Sequence, residues 1–274
     1  MSTDTAAADT FRPRTLSPSA AGTFRNCPRR WKFHYVDDLP DPPGEPAVLG
    51  SFVHKVLEDL LELPAPDRTI ERAREVCTRN WPETANSDNF ADLDFDDDQS
   101  RAFKAKAWAF VEGYFAMFDP QQVDVVEREH KVRATVGEVP FFGFIDLLEN
   151  ADGGLRVTDY KTGKPPRPRY LDEALSQIWL YAAALADQGT EVATVQLAYI
   201  GNGADRRGKT FVREMDADAM AAAVDRHGET WRAIHDALDR DEFKPKPGPL
   251  CGWCAYRDHC PEGAAEYRRR NGEE

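Results

Sequence analysis

The stretch VTDYKTGK, residues 157–164, sets an acid and a lysine two positions apart behind an apolar entry. Read as a strand, its period-2 alternation turns Asp159 and Lys161 to the same face. Just upstream, EVPFFGFIDLLEN (138–150) and LRVTDYKTG (155–163) are rich in β-branched and aromatic residues, and ADGG (151–154) between them reads as a hairpin turn. If the hairpin folds about Asp152, facing residue numbers sum to roughly 304, give or take one, so Asp146 falls opposite Asp159 or beside it. Two carboxylates that close repel each other unless a cation lies between them, and Mg²⁺ or Mn²⁺ is the usual oxygen-ligated choice. Lys161 then stands where an amine can orient an attacking water or neutralise charge developing on a phosphate. Taken alone, the Asp159/Lys161 pair also fits a solvated surface ion pair.

Outward from this hairpin the pattern alternates between helix and strand. VDVVEREHKVRATV (123–136) predicts a strand, DEALSQIWLYAAALAD (172–187) a helix, VATVQLAYI (192–200) and GKTFVREM (208–215) two further strands, and 216–239 a closing helix. Toward the N-terminus, Ser17 before Pro18 signals a short helix, DLPDPPGEP (38–46) a loop, and AVLGSFVHKVLEDLLEL (47–63) an amphipathic helix. His54 sits at the border of its apolar stripe, one turn after Gly50. Helices are expected over 69–80 and 98–118, separated by the acidic loop DLDFDDD (92–98). The sum is a mixed α/β core with an N-terminal helical region and no internal repeat. The expected organisation is a disordered tail over 1–14, one domain over 15–262 with a helical insertion at about 65–118, and a charged tail over 263–274.

With 274 residues and 41% apolar content the chain can bury a substantial core. No run approaches the roughly 18–20 apolar residues of a membrane span, and MSTDTAAADTF lacks the apolar stretch of a secretory signal, so a cytoplasmic protein is expected. The net charge of −13 argues against a polycation that coats nucleic acid. It does not exclude a local basic groove, because fields are screened within about 8–10 Å. Basic residues do gather at Lys161, Lys164, Arg167 and Arg169, from Arg25 to Lys32, and at Arg268–Arg270.

Five cysteines remain: Cys27, Cys77, Cys251, Cys254 and Cys260. CGWCAYRDHCP gives C-x2-C-x5-C, and without a secretory signal a metal site is the better reading than disulfides. Four thiolates suit either Zn²⁺ or a [4Fe–4S] cluster. Cys77, within a helical stretch, reads as a small buried hydrophobe. GADRRGKT (203–210) matches a phosphate-loop pattern, but TFVRE follows with strand alternation where that loop needs a helix, so a hairpin between two strands is expected.

Taken in order, GSFVHKVLE, VVEREHKV, FGFID, VTDYKTG and QIWLY resemble the PD-(D/E)XK nuclease superfamily, and within it RecB-like and AddB-like exonucleases and the related CRISPR-adaptation nucleases. The resemblance spans about residues 16–262 and implies a restriction-endonuclease-like α/β core with a mixed central sheet flanked by helices. It assigns His54, Asp146 and Asp159 as Mg²⁺ or Mn²⁺ ligands and Lys161 as catalytic, with Glu127 or Glu129 as a further strand glutamate. Gln177 and Tyr181, one turn apart on a helix, match the Q-x-x-x-Y element that follows the lysine. It also selects the iron–sulfur option for Cys27, Cys251, Cys254 and Cys260, as a C-terminal staple. The implied activity is a metal-dependent deoxyribonuclease, acting on single strands or free ends in DNA repair and recombination. Lys164, Arg167 and Arg169 would grip phosphates, and any helicase would be a separate chain. The alternative is a catalytically weak iron–sulfur DNA-binding accessory protein.

Overall fold

Helix α3, Glu45–Glu62, forms because Val48, Leu49, Phe52, Val53, Val56, Leu57, Leu60 and Leu61 recur at helical spacing, and all eight are buried. The computed structural model describes residues 11–202 and 207–272. Two helices pack on α3: α4 (Ile70–Ala85), capped by the Thr69 side chain, and α6 (Asp97–Met117). The acidic run at 92–98 is not simply a loop. Asp96 caps α6 in a reciprocal capping box with Gln99, and Asp97 and Asp98 occupy its first turn, where the helix dipole favours negative charge. A short helix α5, Asp88–Ala91, precedes it. Phe103, Phe110 and Tyr114 of α6 join the α3 stripe and Leu147, Tyr160, Ala198 and Ile200 in one core. A fully buried side chain such as Phe103 or Leu60 stabilises it by about 2 kcal/mol.

Among the described residues five strands form one sheet in chain order: β1 (Asp124–Val136), β2 (Val139–Ala151), β3 (Gly154–Lys161), β4 (Thr194–Tyr199) and β5 (Lys209–Glu214). β2 and β3 pair antiparallel, with Leu147 facing Thr158, so facing numbers sum to 305, inside the expected window. Gly153 (φ 91°) and Gly154 (φ 130°) carry the turn in backbone conformations that L side chains resist. β3 and β4 run parallel, which requires a crossover. Helix α7, Leu171–Asp187, supplies it and packs on β1, β3 and β4. β4 and β5 are antiparallel. Residues 203–206 of GADRRGKT lie outside the described residues, and Lys209 and Thr210 open strand β5.

Contacts group the chain into two units. One comprises Pro42–Val136 and Phe142–Val224, and the other the described residues within Met1–Asp41, Gly137–Phe141 and Asp225–Glu274. In the second, the single N-terminal helix expected from the sequence is two, α1 (Pro18–Asn26) and α2 (Pro28–Tyr35). Extended Cys27 lies between them, and Pro28 starts the second helix. Trp31, Phe24, Ile234 and Phe243 form this unit's core. Helix α8, Ala217–Arg240, supplies Ile234, and α9, Pro261–Asn271, makes most of the expected charged tail helical. No described helix is long and apolar enough to cross a membrane.

Candidate active site

Helix α3 and strands β1 and β2 bring His54, Glu129 and Asp146 together, with one ligand atom from each lying within 4.8 Å of the others. His54 reaches Asp146 Oδ1 with Nδ1 at 3.5 Å. The approach of α3 is close because Gly50, one turn earlier, has no side chain: a Cβ there would sit 3.2 Å from Thr162 Oγ1, just beyond β3. Asp146 lies where regular β2–β3 pairing ends, and its Oδ2 accepts a 2.6 Å hydrogen bond from the Tyr160 amide. The carboxylate is thereby fixed by backbone rather than by a mobile side chain.

Of the two strand glutamates that the sequence offers, Glu129 is the one that lies beside His54 and Asp146. Its backbone enters the left-handed region (φ 44°) and residues 128–130 are all half-buried, so the in–out rule lapses at this point of β1. Glu127 is exposed and meets His130 instead. A non-glycine residue held at positive φ costs on the order of 1 kcal/mol or more, and such strain clusters at functional sites.

Asp159 is 2% exposed. Its Oδ2 lies 2.7 Å from Lys161 Nζ, and its Oδ1 accepts from Gln177 Nε2 at 3.1 Å. Gln177 Oε1 accepts from Lys161 Nζ at 3.4 Å, and Gln177 Nε2 is 2.9 Å from the Tyr181 hydroxyl. Asp159 is outside the three-donor group, but the pair it forms with Lys161 is near enough to respond to that group's charges.

The protonation energetics describe a site short of positive charge. Burial pushes the Glu129 carboxyl up to about 7, and the Asp146 charge pushes the same way. Burial also raises Asp159; Lys161 opposes the rise and Asp146 adds to it. For His54, burial favours the neutral ring, yet the hydrogen bond and charge of Asp146, with Asp159 behind it, leave the net shift upward. Burial lowers Lys161, and the charge and hydrogen bond of Asp159, with Asp146 behind it, leave the net shift upward. Two carboxylates and an imidazole converging in this way fit a hard divalent cation, whose charge would relieve the repulsion between Glu129 and Asp146. Lys164, Arg167 and Arg169 are exposed on the segment between β3 and α7, with Arg169 stacked 4.6 Å over Tyr170.

In the other unit, Cys27, Cys251, Cys254 and Cys260 line a small pocket beside Arg29, Arg30, Lys246 and Arg257. The amides of Lys246, Gly248 and Gly263 donate to the sulfurs of Cys27, Cys251 and Cys260 at 3.4–3.5 Å. All are free thiols. Among the described residues no three of these sulfurs lie within 4.8 Å of one another. Four thiolates around one Zn²⁺ at about 2.3 Å would be about 3.8 Å apart. Cys77 is half-buried against the α3 core, its thiol pushed up to about 11 by burial.

Comparison with known proteins follows the same outline. Gene 69 protein of Mycobacterium phage L5 is 23% identical across 90% of this chain and 98% of its own length. Gene 69 protein of Mycobacterium phage D29 is 22% identical across 89% and 96%. A solved structure described as "Crystal structure of SSO0001" covers 92% of this chain and 89% of its own at 15% identity, with a TM-score of 0.40. The PD-(D/E)XK nuclease superfamily model matches residues 15–261, a span that takes in the three-donor group, the Asp159–Lys161 pair and all four pocket cysteines. A match over that much of the sequence means that the chain belongs to the PD-(D/E)XK nuclease superfamily.

Proposed function

We propose that the chain is a Mg²⁺- or Mn²⁺-dependent deoxyribonuclease of RecB-like and AddB-like type, acting as an exonuclease on single strands or free ends in DNA repair and recombination. The observation that carries this reading is the adjacency of the His54–Glu129–Asp146 group to the buried Asp159–Lys161 pair. His54, Glu129 and Asp146 would hold the ion, with Asp159 completing the acidic set. A bound divalent ion would polarise the phosphoryl oxygen. Lys161 supplies a fixed positive charge next to the phosphate as negative charge develops on it, and helps orient the attacking water. Gln177 keeps the amine and carboxylate in register, and the Tyr181 hydroxyl holds Gln177. Lys164, Arg167 and Arg169 take backbone phosphates, contacts that carry no base identity.

The four cysteines would hold a [4Fe–4S] cluster, as the resemblance to AddB-like nucleases implies, and the sulfurs of Cys27, Cys251 and Cys260 already accept backbone N–H donors of the kind that tune such clusters. The cluster would tie Cys27 to the C-terminal cysteines and leave electron transfer to other proteins. A separate helicase is the proposed partner.

The decisive assay titrates Mn²⁺ against labelled single-stranded DNA with the wild type and Asp159→Ala. Cutting that is lost in the variant while DNA binding persists supports the enzyme. A wild type that binds and never cuts would leave only the iron–sulfur accessory reading.

A further inference from the structure

Along β2, residues 139 to 147 alternate strictly between buried and accessible, so Phe142, Phe144 and Asp146 share the accessible face. Phe144 is 45% exposed, a large apolar ring left in water two residues from the Asp146 carboxylate. Phe142 meets it edge to face at 5.1 Å. Lys131 and Arg133 of β1 both lie over the Phe142 ring, at 5.5 and 5.0 Å from its centroid. Neither cation has a carboxylate within 4.0 Å among the described residues. On a chain with a net charge of −13, two uncompensated cations on one aromatic patch point to an anionic occupant.

We propose that this face of the β1–β2 hairpin is a stacking track that presents single-stranded DNA to the His54–Glu129–Asp146 group. Phe144 and Phe142 serve as platforms for successive bases, and Lys131 and Arg133 hold the backbone beside them. Same-face side chains on a strand repeat about every 6.8 Å, so the rings follow Asp146 in even steps, as the bases of an extended strand would require. A duplex hides its base faces in its own stack, and only an unpaired strand offers them to the rings. Every base has a π-face, so the track grips without reading sequence. This inference rests on the nuclease reading and deepens it by assigning the strand form of the substrate and the residues that hold it.

The test measures equilibrium binding of the full chain, without added Mg²⁺ or Mn²⁺, to three labelled probes: a thymidine single strand, an abasic single strand of equal length, and a duplex. Phe144→Ala and Phe142→Ala should each weaken thymidine-strand binding about tenfold and leave the abasic strand and the duplex unchanged. Phe144→Leu keeps the apolar bulk without the ring and should show the same loss, which separates stacking from a folding defect. Lys131→Gln should weaken both single strands. A wild type that binds abasic and thymidine strands equally overturns the proposal, as does a Phe144→Ala chain whose only change is a lost self-association in sedimentation. If the wild type cuts DNA while the phenylalanine variants bind as it does, the track fails and the nuclease reading stands. A wild type that neither binds nor cuts removes both.

Discussion

Gln177 contributes both ends of its amide, donating to Asp159 and accepting from Lys161, so it acts as a polar clasp and not merely as a filler of space. Gln177→Leu keeps most of the volume and strips both contacts. We expect cutting to fall at least tenfold with DNA affinity within twofold of wild type, measured by single-turnover kinetics beside equilibrium binding. His227 offers a test away from the site. It is fully buried against Phe141, and burial lowers its pKa to about 4 against an opposing contribution from the Leu16 backbone. Its unfolded value is near 6.5, so the folded state binds the proton less well than the unfolded one. The stability this contributes is present above about pH 6.5 and drains away as the pH falls toward 4, by about 3 kcal/mol in all. Denaturation midpoints across that window should fall less steeply for His227→Leu than for wild type. Asp146, Asp159 and Lys161 were legible in the sequence because alternation and hairpin arithmetic place them without knowledge of packing. Glu129 was legible only as one of two candidates with Glu127, since the positive φ at Glu129 breaks the rule by which a strand is read.

At the scale of elements, periodicity located α3, α6, α7 and all five strands to within a few residues; the helices and β2 bury one clear face, whereas β4 is buried throughout and β5, largely exposed, is legible from its β-branched and aromatic alternation alone. The split at Cys27, the continuation of α4 through Pro82 to Ala85 and the cap at Asp96 depend on local backbone choices that periodicity does not encode. Also invisible was the close approach of α6 to the segment after β4. A Cβ on Gly113 would lie 1.8 Å from the Gly201 carbonyl oxygen, an overlap only backbone movement can relieve. Gly113→Ala should therefore destabilise the protein by about 2–3 kcal/mol despite alanine's better helix propensity, read as a lower denaturant midpoint with an unchanged m-value. Gly22, in α1 with nothing within 4 Å of its would-be Cβ, is the control: Gly22→Ala should be neutral or slightly stabilising.

For the molecule as a whole, the charge balance sets how it can meet a polyanion. An acidic body repels DNA at a distance, so attraction must come from exposed cations with few acidic partners, and Lys164, Arg167 and Arg169 are such a set. Neutralising Arg167 with glutamine should weaken single-strand binding and flatten the slope of log affinity against log salt by about 0.7, whatever the sequence of the strand. Chelation and oxidation bear on the other unit. A loop closed between Cys27 and Cys251 would encompass most of the chain, so the proposed cluster would withdraw much freedom from the unfolded state. Cys254→Ser should bleach visible absorption and lower the melting temperature, while a colourless wild type purified without air would argue for zinc. None of this was available from composition alone, which gave the sign of the total charge and nothing of where it sits.

The missing side chain at Gly50 has a reach of its own. With Thr162 Oγ1 only 3.2 Å from where a methyl group would stand, a single added carbon would force either the Thr162 hydroxyl or α3 itself to give by a few tenths of an ångström. To the extent that the helix yields, His54, one turn along the same rod, moves with it while Asp146 stays pinned to the Tyr160 amide. The spacing between imidazole and carboxylate is thus gauged by an absence, much as a shim thickness is set by the gap it must not fill.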